Sequence, residues 1–252
     1  MKFKILALTF VSFITSFGYS QIEKIDSYKT TNGTLTIQPI LHSSMVINYN
    51  GKTIYVDPYG GKLLYKSQPS PDIILITDIH GDHLNMETLE SIDTSKATFI
   101  APQAVYDKLP ENFKSKTVIL NNKQGIHRLD FFIQAIAMYN LPETTESRHP
   151  KGRGNGYILN IDNKRIYISG DTSGIFEMKM LNNIDIAFIC MNLPYTMTIN
   201  EAAEAVLEFQ PKVVYPFHYR GKDGFSDVNA FKELVNKQNN DIKVVLKNWY
   251  PN

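Results

Sequence analysis

Asp78, His80, Asp82 and His83 all fall within the six-residue run Asp78-Ile79-His80-Gly81-Asp82-His83. Two imidazoles and two carboxylates at this spacing form a donor set for borderline or hard divalent cations. Their density argues against a core position, since four such side chains cannot be desolvated together without large cost. A solvated loop of ordinary surface charge would accommodate them too. Three further features favour the metal reading. His149 lies in the polar stretch Ser147-Arg148-His149-Pro150-Lys151-Gly152-Arg153-Gly154-Asn155-Gly156, Asp171 in Ser169-Gly170-Asp171-Thr172, and His218 in Tyr215-Pro216-Phe217-His218-Tyr219. Taken singly, each is a turn residue or a histidine beside a strand. Together they form an ordered series of cluster, His, Asp and His, each at a strand end or in a loop, which reads as one metal site assembled from distant parts of the chain.

The elements that must position these residues are legible from periodicity. Thr34–Gln38 alternates, and Met45–Tyr49 and Thr53–Val56 flank Asn50-Gly51, a hairpin signal because both turn residues must reach positive φ. Ile73–Thr77, directly before the donor cluster, is continuously apolar, as a strand buried on both faces must be. A helix follows over Asn85–Ile92, then strands over Ala97–Ile100 and Thr117–Leu120. The second half repeats the style. It has a strand over Leu129–Met138, a hairpin of Tyr157–Ile161 and Arg165–Ser169, and a buried strand over Ile184–Ile189. Thr198-Ile199-Asn200-Glu201 is a capping box that opens a helix. A short strand at Val213–Pro216, a helix over Val228–Lys237 and a last strand over Ile242–Leu246 complete the chain. Two halves that each begin with hairpins and end in strand–helix units predict two sheets stacked face to face with helices outside. Residues 141–155 form the one long polar insertion, where sites tend to sit.

The donor series resembles that of the metallo-β-lactamase superfamily: H-x-H-x-D-H, a distant His, an Asp between the ions and a final His. Within it the chain is similar to the branch of ascorbate-6-phosphate lactonases and related metal-dependent hydrolases. Val56-Asp57-Pro58, Gly156-Tyr157-Ile158 and Glu201-Ala202-Ala203 carry that similarity beyond the donors. The resemblance implies an α/β (α+β) fold, a four-layer αββα sandwich of two stacked mixed sheets with outer helices. It implies two divalent ions, Zn²⁺ in the first place and Mn²⁺ or Fe²⁺ as alternatives. One ion would be held by His80 and His149, with Asp78 as third ligand. The other would be held by Asp82, His83 and His218, with Asp171 bridging both. Asp57 would support the metal loop from behind. His42 is either a residue beside the site or a core histidine, and His127 matches nothing. Asp82 and Asp171 would serve catalysis, with a metal-bridging hydroxide attacking an ester, lactone or similar carbonyl substrate that carries an anionic group. A phosphodiesterase on the same site is the alternative enzyme, and a non-catalytic metal-dependent binding protein the alternative of another class. Tyr139, Asn140, Arg148, Lys151, Arg153, Tyr195, Tyr219, Arg220 and Lys222 lie near donor positions in sequence and are candidates for substrate recognition. The departure from the series is Asp78, where the family usually carries histidine. A carboxylate there removes one positive charge from the centre, which predicts a weaker Lewis acid and a tilt toward Mn²⁺ or Fe²⁺.

Lys2 and Lys4, the apolar run Ile5–Ile14 and the small and turn residues up to Ser20 have the layout of a secretory signal peptide. The expectation is a leader over residues 1–20, a hydrolase domain over 21–252, and a periplasmic or secreted protein without a stable membrane anchor. With 26 basic and 25 acidic residues, nothing marks nucleic acid as a partner. A small molecule is the expected substrate. The single cysteine, Cys190, ends an apolar run and reads as a small buried hydrophobe.

Overall fold

A computed structural model describes residues 25–144 and 146–251; the expected leader and its cleavage point lie outside them. The first sheet has seven strands in sequence order. These are β1 (Asp26–Lys29), β2 (Thr34–Leu41), β3 (Ser44–Tyr49), β4 (Lys52–Val56), β5 (Ile73–Leu75), β6 (Thr98–Ala101) and β7 (Thr117–Ile119). Pairing is antiparallel from β1 to β4 and parallel from β4 to β7. The second sheet is built the same way. β8 (Gly125–Arg128), β9 (Phe131–Met138), β10 (Gly154–Ile161) and β11 (Lys164–Ile168) pair antiparallel, then β12 (Ile186–Cys190) and β13 (Val213–Phe217) continue in parallel. A small hairpin, β14 (Arg220–Gly221) and β15 (Gly224–Phe225), precedes the edge strand β16 (Lys243–Val244), which pairs with β13.

Strand alternation explains why the sheets stack. Along β3 to β5, Met45, Ile47, Ile54, Val56, Ile73 and Leu75 belong to the core shared with the second sheet. Val46, Tyr55 and Ile74, one residue out of phase, belong to a separate core on the other face. Short helices cover that outer face: α1 (Met86–Ser91), α2 (Gln103–Lys108) and α3 (Glu111–Lys114) bring in Leu89, Val105 and Phe113. Over the second sheet lie α4 (Phe176–Lys179), α5 (Ile199–Phe209) and α6 (Val228–Gln238). The capping box at Thr198 and Glu201 is formed, and Ala202, Ala205, Val206 and Phe209 of α5 are buried. This is the predicted two-sheet sandwich.

The differences from expectation are local. The apolar run Ile73–Thr77 is strand only to Leu75, and the Thr77 carbonyl accepts instead from the Asn155 backbone N–H at 2.9 Å. The insertion at 141–155 ends early, since Gly154–Gly156 already pair with Ile136–Met138 as the start of β10. The last strand is confined to Lys243–Val244. β1, β8, α2, α3, α4 and the β14–β15 hairpin were not expected; each has six residues or fewer, too short for a period to register.

Candidate metal centre

The predicted donors converge at one end of the sandwich, beyond the C-terminal ends of β5, β11 and β13. Ligand sites in open parallel sheets gather at such ends because the connecting loops emerge there. Backbone placement is exacting. Asp57, His42 and His218 adopt φ of 42°, 62° and 46°, the left-handed region that costs non-glycine residues energy and recurs at functional sites. Gly170, with φ of 61°, brings Asp171 in from β11. A Cβ there would lie 2.5 Å from Met138 Sδ and 2.9 Å from the Asn155 carbonyl oxygen, so only glycine fits.

Two of the buried imidazoles, His83 and His149, are held at Nδ1 by a partner that leaves Nε2 facing the site. His83 Nδ1–H donates to Asp57 Oδ2 at 2.8 Å, and Asp57 also accepts from the Thr77 backbone N–H at 2.8 Å and from the Thr77 hydroxyl at 2.6 Å. His149 Nδ1–H donates to Asn140 Oδ1 at 3.0 Å, and the two residues are tied again through their backbones. His83 Nε2 then faces His218 Nε2 at 3.2 Å and Asp171 Oδ2 at 3.3 Å. His149 Nε2 lies 3.2 Å from the same Asp171 oxygen, and His218 Nε2 lies 3.2 Å from Asp171 Oδ1. Asp171 therefore stands between the two groups of donors. Burial alone would raise its carboxyl, but His218 and His83 outweigh that and hold it well below the usual range. Asp82 Oδ2 lies 3.4 Å from His218 Nε2 and is likewise held low against its burial, by His83, His218 and His42.

His80, Asp78 and His149 form one group of mutually close donor atoms, and His83, Asp171 and His218 another. Asp82 sits with His42 and His218. Two tests of fit to divalent ions agree. His149 Nε2 and Asp171 Oδ1 are buried without hydrogen-bond partners, a costly state for polar atoms that a bound cation would relieve. Donors sharing one tetrahedral ion at ~2.0–2.1 Å sit about 3.3 Å apart, close to the 3.2–3.3 Å separations around Asp171.

The sequence pattern of the β-lactamase superfamily domain matches residues 36–218. A UPF0173 metal-dependent hydrolase from Lysinibacillus sphaericus is 32% identical over 217 residues, covering 81% of this chain and 93% of that protein. The chain belongs to the UPF0173 metal-dependent hydrolase family, within the metallo-β-lactamase superfamily. Its counterpart in Pyrococcus abyssi is 30% identical over 77% of this chain and 89% of its own. The crystal structure of a protein from Parabacteroides distasonis described as a metal-dependent hydrolase superposes with a TM-score of 0.79 at 37% identity, covering 89% of this chain and 98% of that one. The metallo-hydrolase Igni18 from Ignicoccus hospitalis, 24% identical with a TM-score of 0.72, shares the fold.

The donor cluster opens into a cleft of about 270 Å³ lined by His80, Asp82 and Asp171 at its floor and by Arg148, Tyr195, Arg220 and Lys222 at its rim. Arg148 lies over the Tyr195 ring at 4.5 Å and Arg220 over the Tyr250 ring at 4.8 Å. Among the described residues, no carboxylate pairs with Arg148, Arg220 or Lys222. Of the other recognition candidates, Asn140 positions His149, and Tyr219 is buried with its hydroxyl on the Lys247 carbonyl. Lys151 and Tyr139 are turned away, with Lys151 paired to Glu143 at 3.0 Å and Tyr139 donating to Glu177 at 2.9 Å. Arg153 is bound to Asp78. His127 lies exposed on β8 against Phe132, away from the centre. Cys190 is fully buried, and burial pushes its thiol up to about 11.

His42 resolves as a residue of the site rather than of the core, and Tyr250 was missed altogether. The Arg220 backbone N–H donates to the Tyr250 hydroxyl at 3.0 Å, and that hydroxyl donates to His42 Nδ1 at 2.8 Å. His42 Nε2–H then donates to Asp82 Oδ2 at 3.1 Å. Burial lowers His42 to about 4, so the ring is neutral at neutral pH and can carry its proton on one nitrogen, as this chain of bonds requires. Nothing in the local sequence could have flagged Tyr250, which is 208 residues from His42.

Proposed function

We propose that the protein is an exported hydrolase of small ester, lactone or similar carbonyl substrates bearing an anionic group. The observation that carries this reading is the cationic rim. Two arginines propped on aromatic rings and a lysine, none with a carboxylate partner among the described residues, border a cleft whose floor is Asp82, Asp171 and His80. Unpaired guanidinium groups beside such a floor suit a carboxylate or phosphate substituent.

His80 and His149, with Asp78, would hold one divalent ion, and His83, His218 and Asp82 the other, with Asp171 between them. Zn²⁺, or alternatively Mn²⁺ or Fe²⁺, suits these nitrogen and oxygen donors. Bound there, the ions would lower the pKa of a coordinated water, giving hydroxide near neutral pH, and would polarise the substrate oxygen. The chain's own residues do the rest. Asp82, the most exposed of the site's carboxylates at 34%, faces the cleft and accepts from His42, which fixes one oxygen and leaves the other to orient the attacking water and take its proton. Asp57 and Asn140 hold the His83 and His149 rings in the tautomers that present Nε2. Arg148, Arg220 and Lys222 place the substrate's charged end away from the reacting carbon.

A panel of anionic esters, lactones and phosphodiesters, assayed with Zn²⁺, Mn²⁺ and Fe²⁺ added back, tests this reading. Turnover confined to phosphodiesters would replace it with the other enzyme, and metal content without turnover would favour a binding protein. Arg148→Ala is expected to raise KM for the anionic substrate on the order of 10- to 100-fold, the scale of a hydrogen bond to a charged group, with kcat changed little. An unchanged KM would remove Arg148 from recognition. Export is read from the Lys2/Lys4 head and apolar run, and mass spectrometry of the mature protein should find an N-terminus near Gln21. Recovery of intact Met1 in a soluble cytoplasmic fraction would refute export.

A further inference from the structure

Asp78 is fully buried beyond the end of β5 and departs from the donor series as a carboxylate. Arg153, the residue before β10, grips it with a two-pronged contact. Nε donates to Oδ1 at 3.1 Å and Nη2 donates to Oδ2 at 3.0 Å. The same Oδ2 lies 2.7 Å from His80 Nδ1 and 4.0 Å from His149 Nε2, so it stands between the guanidinium and the two imidazoles. A carboxylate oxygen has two lone pairs. One can take the Arg153 N–H while the other faces His80 and His149.

Charge decides what this pair does. An unpaired carboxylate at such depth is strongly disfavoured, and a forked guanidinium is the best-matched single partner for it. Asp78 and Arg153 together carry no net charge, as a neutral imidazole carries none. We propose that the two act as one unit in place of a histidine ligand. Asp78 offers Oδ2 to the ion held by His80 and His149. Arg153 keeps the exchange electrically neutral and holds the carboxylate in place when no ion is bound. The weaker Lewis acidity expected from Asp78 alone is thereby offset, because Arg153 returns the positive charge that Asp78 removes. Arg153 is a positioning residue that acts through Asp78. The proposal rests on reading His80 and His149 as ligands of one ion.

The test is a cycle of Asp78→His, Arg153→Met and the double variant in the full chain. Zn²⁺ and, separately, Mn²⁺ content and chelator-competition affinity are measured beside melting in EDTA. Asp78→His alone strands the Arg153 charge against a cation site, and affinity for one ion should fall on the order of 10- to 100-fold. The double variant should recover to within a few-fold of wild type. Arg153→Met alone should melt at least about 4 °C lower in EDTA, since Asp78 loses its partner, and added Zn²⁺ should raise its melting temperature by more than it raises the wild type's. An Asp78→His protein with wild-type affinity for both ions overturns the proposal, as does a double variant no tighter than Asp78→His. Wild-type melting of Arg153→Met in EDTA overturns it too. If His149→Ala leaves ion content unchanged, the ligand reading beneath the proposal fails, while the EDTA comparison still reports on the pair.

Discussion

Asp171→Ala is expected to abolish turnover and to remove most of the bound metal while leaving the fold in place. The carboxylate lies near both donor sets, 3.2 Å from His149 Nε2 and from His218 Nε2 and 3.3 Å from His83 Nε2. Loss of a single preorganised electrostatic contact costs about 10²–10³ in kcat, and a residue that orients both halves of the centre should cost at least that much. The backbone at this point is set by Gly170 and by β11, not by the Asp171 side chain, so circular dichroism should be native. Metal analysis decides the matter. Two full equivalents of metal in the variant would show that Asp171 does not stand between the ions.

Asp57→Asn is expected to have the next largest effect, on both stability and metal affinity. Asp57 is buried and accepts three hydrogen bonds, from the Thr77 backbone, the Thr77 hydroxyl and His83 Nδ1. An amide keeps the shape but turns one acceptor oxygen into a donor, so either Thr77 or His83 faces a like group. Leaving a buried group unsatisfied costs about 1–3 kcal/mol. Loss of an outer partner of a metal-binding imidazole typically lowers metal affinity about 10–100-fold. The two readouts separate the roles. A lower melting temperature with unchanged metal affinity would make Asp57 purely structural. A loss confined to the ion bound by His83 is the expected result, and equal weakening of the His80–His149 ion would contradict it.

The chain's own order of residues determined much of this protein. Continuous apolar runs marked strands buried on both faces, as Ile73–Leu75 and Ile186–Cys190 are, because a strand between two covered faces has no polar side to show. Hairpins before strand–helix units predicted two stacked sheets, and two seven-stranded sheets form, with only the β14–β15 hairpin outside them among the described residues. His80, Asp82, His83, His149, Asp171 and His218 were legible because few other chemistries use these residue types at strand ends. Their common surroundings were not.

Tertiary structure alone decided the partnerships. Arg153 reads as one more loop cation and Lys151 as its neighbour, yet one grips Asp78 across 75 positions while the other turns out to Glu143 and Glu177. Tyr250 reaches His42 from the far end of the chain, and through it touches Asp82. Periodicity reports which face of an element is buried, since that depends on residues two or four apart. Which charged group meets which depends on how one sheet is laid over the other, and a pairing between loops at the mouth of the sandwich exists only once both sheets have closed on their shared core.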